Sequence, residues 1–241
     1  MKRNIILLLS FIAIAVSINA QVRPGIKLGY NLSGVKADFT NGVANPNAAS
    51  DPDNFHMKSG FQAGLIADCP VNDVISIQPG IRFSMMGFAD KYSSNGNAKR
   101  SFSLFYLQVP VYAQYKLNIA EGTNILFQAG PYGGYGLFGR QKFIRKGKTQ
   151  DLSDKQKKIT FGNSSSDDIR KSFDWGVGAG VGIEYNRFQL MASYDFGAYE
   201  AIFVKKDAKS ASYSVDMQNY NISITLAFIF GRKDPLQNKT D

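Results

Sequence analysis

The sequence predicts an all-β fold: an eight-stranded antiparallel up-and-down transmembrane β-barrel with a side-chain-filled lumen. Three observations carry that prediction. The first is the segment Phe173 to Phe196, which reads as a hairpin. Phe173, Trp175, Val177, Ala179, Val181, Ile183 and Tyr185 alternate with Asp174, four glycines and Glu184. After Asn186-Arg187, Phe188, Leu190, Ala192, Tyr194 and Phe196 alternate with Gln189, Met191, Ser193 and Asp195. This is the two-residue period of extended chain. The second observation is length, since such strands reach the roughly 9–11 residues that cross a bilayer at a tilt. The third is that aromatic residues crowd both ends of the apolar face and leave an aliphatic waist between them, as on a lipid-facing strand.

Taken in order, residues 1–20 form a separate unit. Lys2 and Arg3 precede the apolar run Ile5 to Val16, and Ala20 stands before Gln21. A basic start, an apolar stretch too short to span and a small terminal residue predict a cleaved secretory signal, with an N-terminal anchor as the alternative. The domain plan is therefore a signal over 1–20, a barrel over 21–231 and a polar tail over 232–241. The single Cys69 excludes an intramolecular disulfide framework.

Strand one, near 25–35, sets Ile26, Leu28, Tyr30 and Leu32 against Lys27, Gly29, Asn31 and Ser33. Strand two, near 59–69, sets Phe61, Ala63, Leu65 and Ala67 against Gln62, Gly64, Ile66 and Asp68. Strand three, near 74–88, places Ile75, Ile77, Pro79, Ile81, Phe83 and Met85 opposite Ser76, Gln78, Gly80, Arg82 and Ser84. In strand four, 103–117, the outward set runs from Phe105 to Leu117 and Tyr106, Gln108, Pro110, Tyr112, Gln114 and Lys116 face the other way. Strand five, 124–138, is interrupted by glycines yet keeps phase at Ile125, Phe127, Ala129, Tyr135 and Leu137. Strands six and seven are the hairpin; strand eight, 218–230, ends on Phe228 and Phe230. Pro79 and Pro110 each remove a ladder donor, so bulges are expected there.

Long connections near 36–58, 89–101, 139–171 and 199–217 alternate with short ones near 70–73, 118–123 and 186–187. Outer-membrane barrels have brief periplasmic turns and extended outer loops, so this alternation predicts a Gram-negative outer membrane with both termini periplasmic. One aromatic belt, Tyr115, Phe127, Tyr185, Phe188, Phe228 and Phe230, then falls at the periplasmic rim. A second, Tyr30, Phe61, Phe83, Phe105, Tyr135, Trp175, Tyr194 and Tyr220, falls at the outer rim. Alternation alone also admits a soluble lipocalin-like barrel with an apolar lumen; the belts and the loop alternation argue against it.

The inner face carries charge that must be paired if it is buried. Arg82 shares the upper half with Asp174 and Asp195, while Lys27 and Lys116 share the lower half with Asp68 and Glu184, which predicts two ionic clusters plugging the lumen. The inward glycines of strand six leave room for Tyr112 and Gln114 from across it.

Other motifs carry less. Gly134, Gly136 and Gly139 match a dinucleotide-binding spacing, but a polar basic loop follows where a helix is required, so no cofactor is expected. His56 lies in the first long connection near Asp51, Asp53 and Ser59; a lipid A-modifying or proteolytic enzyme would place a histidine at that rim. One His and one Cys on different segments make no metal cluster. The third long connection is basic: Arg140, Lys142, Arg145, Lys146, Lys148, Lys155, Lys157 and Lys158, with Arg170 and Lys171, stand against four aspartates, a net of +6 out of +9 for the whole chain. Such a loop outside an outer membrane suits lipopolysaccharide phosphates or an acidic envelope protein, and not nucleic acid.

GIKLGYNLSGV, LQVPVYAQYKL, DWGVGAGVGIEY and NYNISITLAFIF together resemble the PorT-like, porin-family outer-membrane β-barrels of the Bacteroidota, along essentially the whole mature chain. That resemblance implies the barrel fold and carries no catalytic residue; one member is associated with a protein secretion system. The polar residues after Phe230 depart from barrels that end on the last aromatic.

Overall fold

The computed structural model describes residues 22–38, 55–91, 98–145, 148–149, 158–161, 172–198, 201–205 and 213–231. The expected signal over 1–20 and the tail over 232–241 lie outside the described residues. The strands are β1 (Arg23–Asp38), β2 (Phe55–Pro70), β3 (Ile75–Lys91), β4 (Ala98–Ala120), β5 (Thr123–Arg145), β6 (Lys148–Thr149), β7 (Lys158–Ile159), β8 (Phe173–Tyr185), β9 (Phe188–Gly197), β10 (Ala201–Lys205) and β11 (Tyr213–Ile229). Eight of them close an antiparallel ring in the order β1-β2-β3-β4-β5-β8-β9-β11, and β11 pairs back onto β1 from Gly25↔Ile229 to Asp38↔Asp216. The short β6 and β7 pair with the upper part of β5, and β10 pairs with β11.

The short turns close the end of the ring where the chain starts and finishes. Asn72 Oδ1 accepts from the amides of Val74 and Ile75 at 3.0 and 2.7 Å, so the 71–74 turn is held by its own side chain. Asn186, at φ 56°, supplies the left-handed residue between β8 and β9, which asparagine tolerates better than most residues.

The faces fall as alternation dictates. Val177, Leu190 and Ile224 are 55, 49 and 58% exposed, whereas Arg82 and Glu184 are 9 and 6% exposed. The hydrocarbon side therefore points out, and a soluble barrel with an apolar lumen is excluded by this geometry. Outward aromatics touch one another in two groups. Phe188, Phe228 and Phe230 meet near the turns with ring centroids 5.1 Å apart. At the opposite end, Phe61, Phe83, Phe105 and Phe138 form one row across β2 to β5 at 6.4, 5.7 and 4.6 Å.

Bulges do not form at Pro79 and Pro110, contrary to expectation. Pairing lapses beside each, between Pro79↔Val111 and Arg82↔Gln108 and between Pro110↔Tyr132 and Ala113↔Ala129, but resumes in the same register. A missing donor costs a rung, and the neighbouring rungs hold the register. The irregularities lie instead between Met57 and Gln62 in β2 and opposite Phe105/Tyr106, where Leu137 is the extra residue on β5, both close to the Phe61–Phe138 row, and between Asn118 and Ala120 beside the short turn to β5.

Candidate functional site

Two regions of the barrel are built from chemistry-bearing residues: the lumen at membrane level and the end that carries the long connections, opposite the short turns and labelled the outer end. In the lumen, Arg82 from β3 crosses to β9, where Nη2 donates to Asp195 Oδ2 at 2.6 Å, and Nε donates to Gln108 Oε1 at 2.8 Å. The Tyr112 hydroxyl donates to the other oxygen of Asp195 at 2.8 Å, and Asn221 reaches Oδ2 at 3.4 Å. The room for this comes from Gly178, where a Cβ would stand against Asp195 Oδ1 and 2.8 Å from the Tyr112 hydroxyl. Asp174 is not part of the Arg82 pair. The Tyr132 ring stands between them, with the guanidinium 5.8 Å from its centroid and the hydroxyl donating to Asp174 Oδ2 at 3.4 Å.

The lower group gathers on two carboxylates. Lys116 Nζ lies 3.0 Å from Asp68 Oδ2 and 3.5 Å from Glu184 Oε2. Arg23 pairs with the same Asp68 oxygen, while Asn124 and Gln189 donate to Glu184 at 2.9 and 2.7 Å. Lys27 departs from the expected cluster: it makes no ion pair among the described residues, and its ammonium donates to Gln78 Oε1 at 3.0 Å. Arg23 takes the carboxylate the sequence had given to Lys27. It lies two inward steps below Lys27 on β1, so extending the alternation from Gly25 to Arg23 would have found it. Buried amides tie Lys27 to the lower group, with Gln78 donating to Gln189 at 3.2 Å. A cavity lined by Lys27, Gln62, Gln78, Arg82 and Tyr112 measures about 20 Å³, room for one water. Side chains thus fill the lumen at this level.

At the outer end the inside turns apolar. Val35, Met86, Phe88, Phe102, Leu104 and Tyr106 pack with Ile159 from β7. Phe88 stacks on Phe102 at 4.7 Å, and Phe161 packs edge-on against Tyr106 at 5.7 Å. Sequence reading missed this cluster. The signal was the run Phe102-Ser-Leu104-Phe105-Tyr106, in which the apolar set changes parity at the aromatic row.

The outward side of the same extension is cationic. Arg140, Lys142 and Arg145, expected in a loop, lie on β5, which continues past the aromatic row with Gln141 and Phe143 alternating with Arg140 and Lys142. Lys148 is in β6 and Lys158 in β7; Lys146, Lys155 and Lys157 lie outside the described residues. Lys58 reaches over Gly87, donating to the Phe102 carbonyl at 3.2 Å and to the Ser103 hydroxyl. His56 lies in β2 opposite Ala89 rather than in a connection, and Asp51 and Asp53 lie outside the described residues. Gly134, Gly136 and Gly139 all lie within β5, so the dinucleotide-like spacing falls on a strand.

The barrel resembles Ail, the attachment invasion locus protein of Yersinia pestis, at 14% identity over 86% of this chain and 98% of that one, with a TM-score of 0.36. It resembles OprG of Pseudomonas aeruginosa at 9% identity over 87% and 97%, TM-score 0.47, and outer membrane protein W of E. coli at 12% over 85% and 97%, TM-score 0.37. No curated protein sequence matches the chain. Residues 17–198 match the family described as outer membrane protein beta-barrel domain. That match covers most of the chain, and with the closed eight-stranded ring and its apolar exterior it assigns the protein to the outer-membrane beta-barrel domain family.

Proposed function

We propose that this protein is a non-enzymatic outer-membrane barrel, of the PorT-like kind suggested by its strand motifs, whose role is structural or surface-binding and is exerted by its extracellular end. The observation that carries this reading is the division of the molecule into a filled lumen and an extended basic end. The Arg82–Asp195 and Lys116–Asp68–Glu184 groups occupy the cross-section at membrane level, which is how an eight-stranded barrel disposes of its interior. Chemistry directed at a partner is then left to the outside, where Lys99, Arg140 and Lys142 are exposed. Outer-membrane lipid, lipopolysaccharide and an acidic envelope protein are the partners that suit this charge. The alternation of tight turns with long connections supports placing both termini in the periplasm.

The test is electrical and topological. Reconstituted in a planar bilayer, the protein should show no steady unitary conductance, and protease added outside intact cells should cut the chain between Arg145 and Lys158 while sparing the tail after Gly231. Ohmic steps that persist in the wild type and change on replacing Arg82 would make it a channel and overturn the reading.

A further inference from the structure

Above the row Phe61–Phe83–Phe105–Phe138, the outward surface turns cationic on β5, where Arg140 and Lys142 follow Phe138, and Lys58 of β2 and Lys99 of β4 join them. Ser103 is the next outward residue beyond Phe105 and pairs with Arg140, which is the next beyond Phe138. Ser101 pairs with Lys142, and Lys99 stands one step further. Lys58, from β2, is drawn into the first of these steps by its bonds to Ser103 and the Phe102 carbonyl. Among the described residues none of Lys58, Lys99, Arg140 and Lys142 has a carboxylate in ion-pair contact. Two residues of strand measure about 7 Å, or about 5 Å in height at a tilt of about 40°. An aromatic belt marks the edge of the hydrocarbon, and the polar layer beyond it is about 5–7 Å thick. Lys58 and Arg140 therefore stand at the depth of lipid phosphates, and Lys142, about 10 Å above the row, stands just past that layer.

We propose that the outward face of β2 to β5 just beyond this aromatic row is a binding site for the phosphate groups of an outer-leaflet lipid, whose acyl chains lie on the phenylalanines below. The proposal rests on the surface-binding reading above and names the ligand class for one wall of the barrel. Two features select a lipid over a soluble acidic partner. The cations are continuous with lipid-facing hydrocarbon surface, so a ligand that meets both must carry anion and chain together. They also stand on paired strands rather than on a free connection, which fixes their spacing before the ligand arrives. Gathering like charges with no counter-ion among the described residues is unfavourable, and a phosphate between Lys58, Arg140 and Lys142 removes that repulsion.

The experiment uses the full chain refolded in phosphatidylcholine vesicles doped with lipid A, either phosphorylated or enzymatically dephosphorylated. Lipid retained per protein after detergent exchange is read by mass spectrometry of the intact complex. Wild type should retain the phosphorylated form in preference, and the R140Q/K142Q and K58Q/K99Q/R140Q/K142Q variants should lose about tenfold or more of that retention. Lys36→Gln, an outward cation of β1 whose ammonium lies over Phe196 of β9 and outside the β2–β5 face, should retain it. A heat-modifiable gel shift reports folding of each variant, and the R140Q/K142Q pair, exposed on the surface, keeps the test valid if the fourfold variant does not fold. Equal retention of both lipid forms, or unchanged retention in R140Q/K142Q, overturns this inference. Loss confined to a variant neutralising Lys146, Lys148, Lys155 and Lys157 also overturns it while leaving the proposed surface-binding role standing. Conductance of the wild type would remove that role instead.

Discussion

Below the outer aromatic row, β3 and β4 turn Arg82, Ser84, Gln108 and Tyr112 inward and leave Ile81, Leu107 and Val109 exposed. Above it, the same two strands turn Met86, Phe88, Phe102 and Leu104 inward and leave Lys99 exposed. Backbone parity is conserved along β4, so what changes is the chemistry assigned to each parity. The difference teaches that the sheet answers to its surroundings rather than to a fixed rule. Where hydrocarbon lies outside, the interior must be polar, self-paired and hydrogen-bonded; where water lies outside, the barrel reverts to the pattern of a soluble protein. The two zones are held by opposite forces across a boundary only one or two residues thick.

The sharpest break should come from the polar zone. Asp195→Ala leaves Arg82 buried without its carboxylate and should cost about 3–5 kcal/mol in urea unfolding from vesicles. Replacing both partners with apolar residues of similar volume should recover most of that loss, and a double variant as unstable as the single would mean the pair is not what stabilises the lumen. In the apolar zone, Phe102→Ala removes the stack with Phe88 and should cost about 3 kcal/mol. Here the loss should be local, seen as faster proteolysis between Arg145 and Phe173 with little change in the gel shift of the membrane-level ring.

The exterior gives the most direct contrast. Val181→Lys puts a cation on the aliphatic waist and should cost about 2 kcal/mol or more. Ser101→Lys adds the same charge outside the row and should stay within about 0.5 kcal/mol; equal costs would erase the boundary.

The ring, its closure and the face that meets lipid were legible because alternation and turn length are local signals. Val177, Leu190 and Ile224 could be placed outward from their neighbours alone. Pairing across the lumen was less legible, because it depends on the stagger between strands far apart in sequence. Arg82 and Asp195 lie 113 residues apart, and whether Asp174 or Asp195 received the guanidinium was decided by Tyr132 standing between. The outer core was hidden for another reason. Strand signals were sought in a single phase, and the stretch 104–107 is apolar on both faces because one solvent gives way to another there.

The lapses in pairing beside Pro79 and Pro110 have a companion at Pro131, which stands opposite Val177 while the β4–β5 rungs beside it are missing. They fall on adjacent strands of one wall, whereas β8, β9, β11 and β1 run in unbroken register. The cylinder thus has a continuous half and a perforated half. Amide deuteration should enter first along the perforated side, making that seam the place where the wall breathes while the rest stays shut.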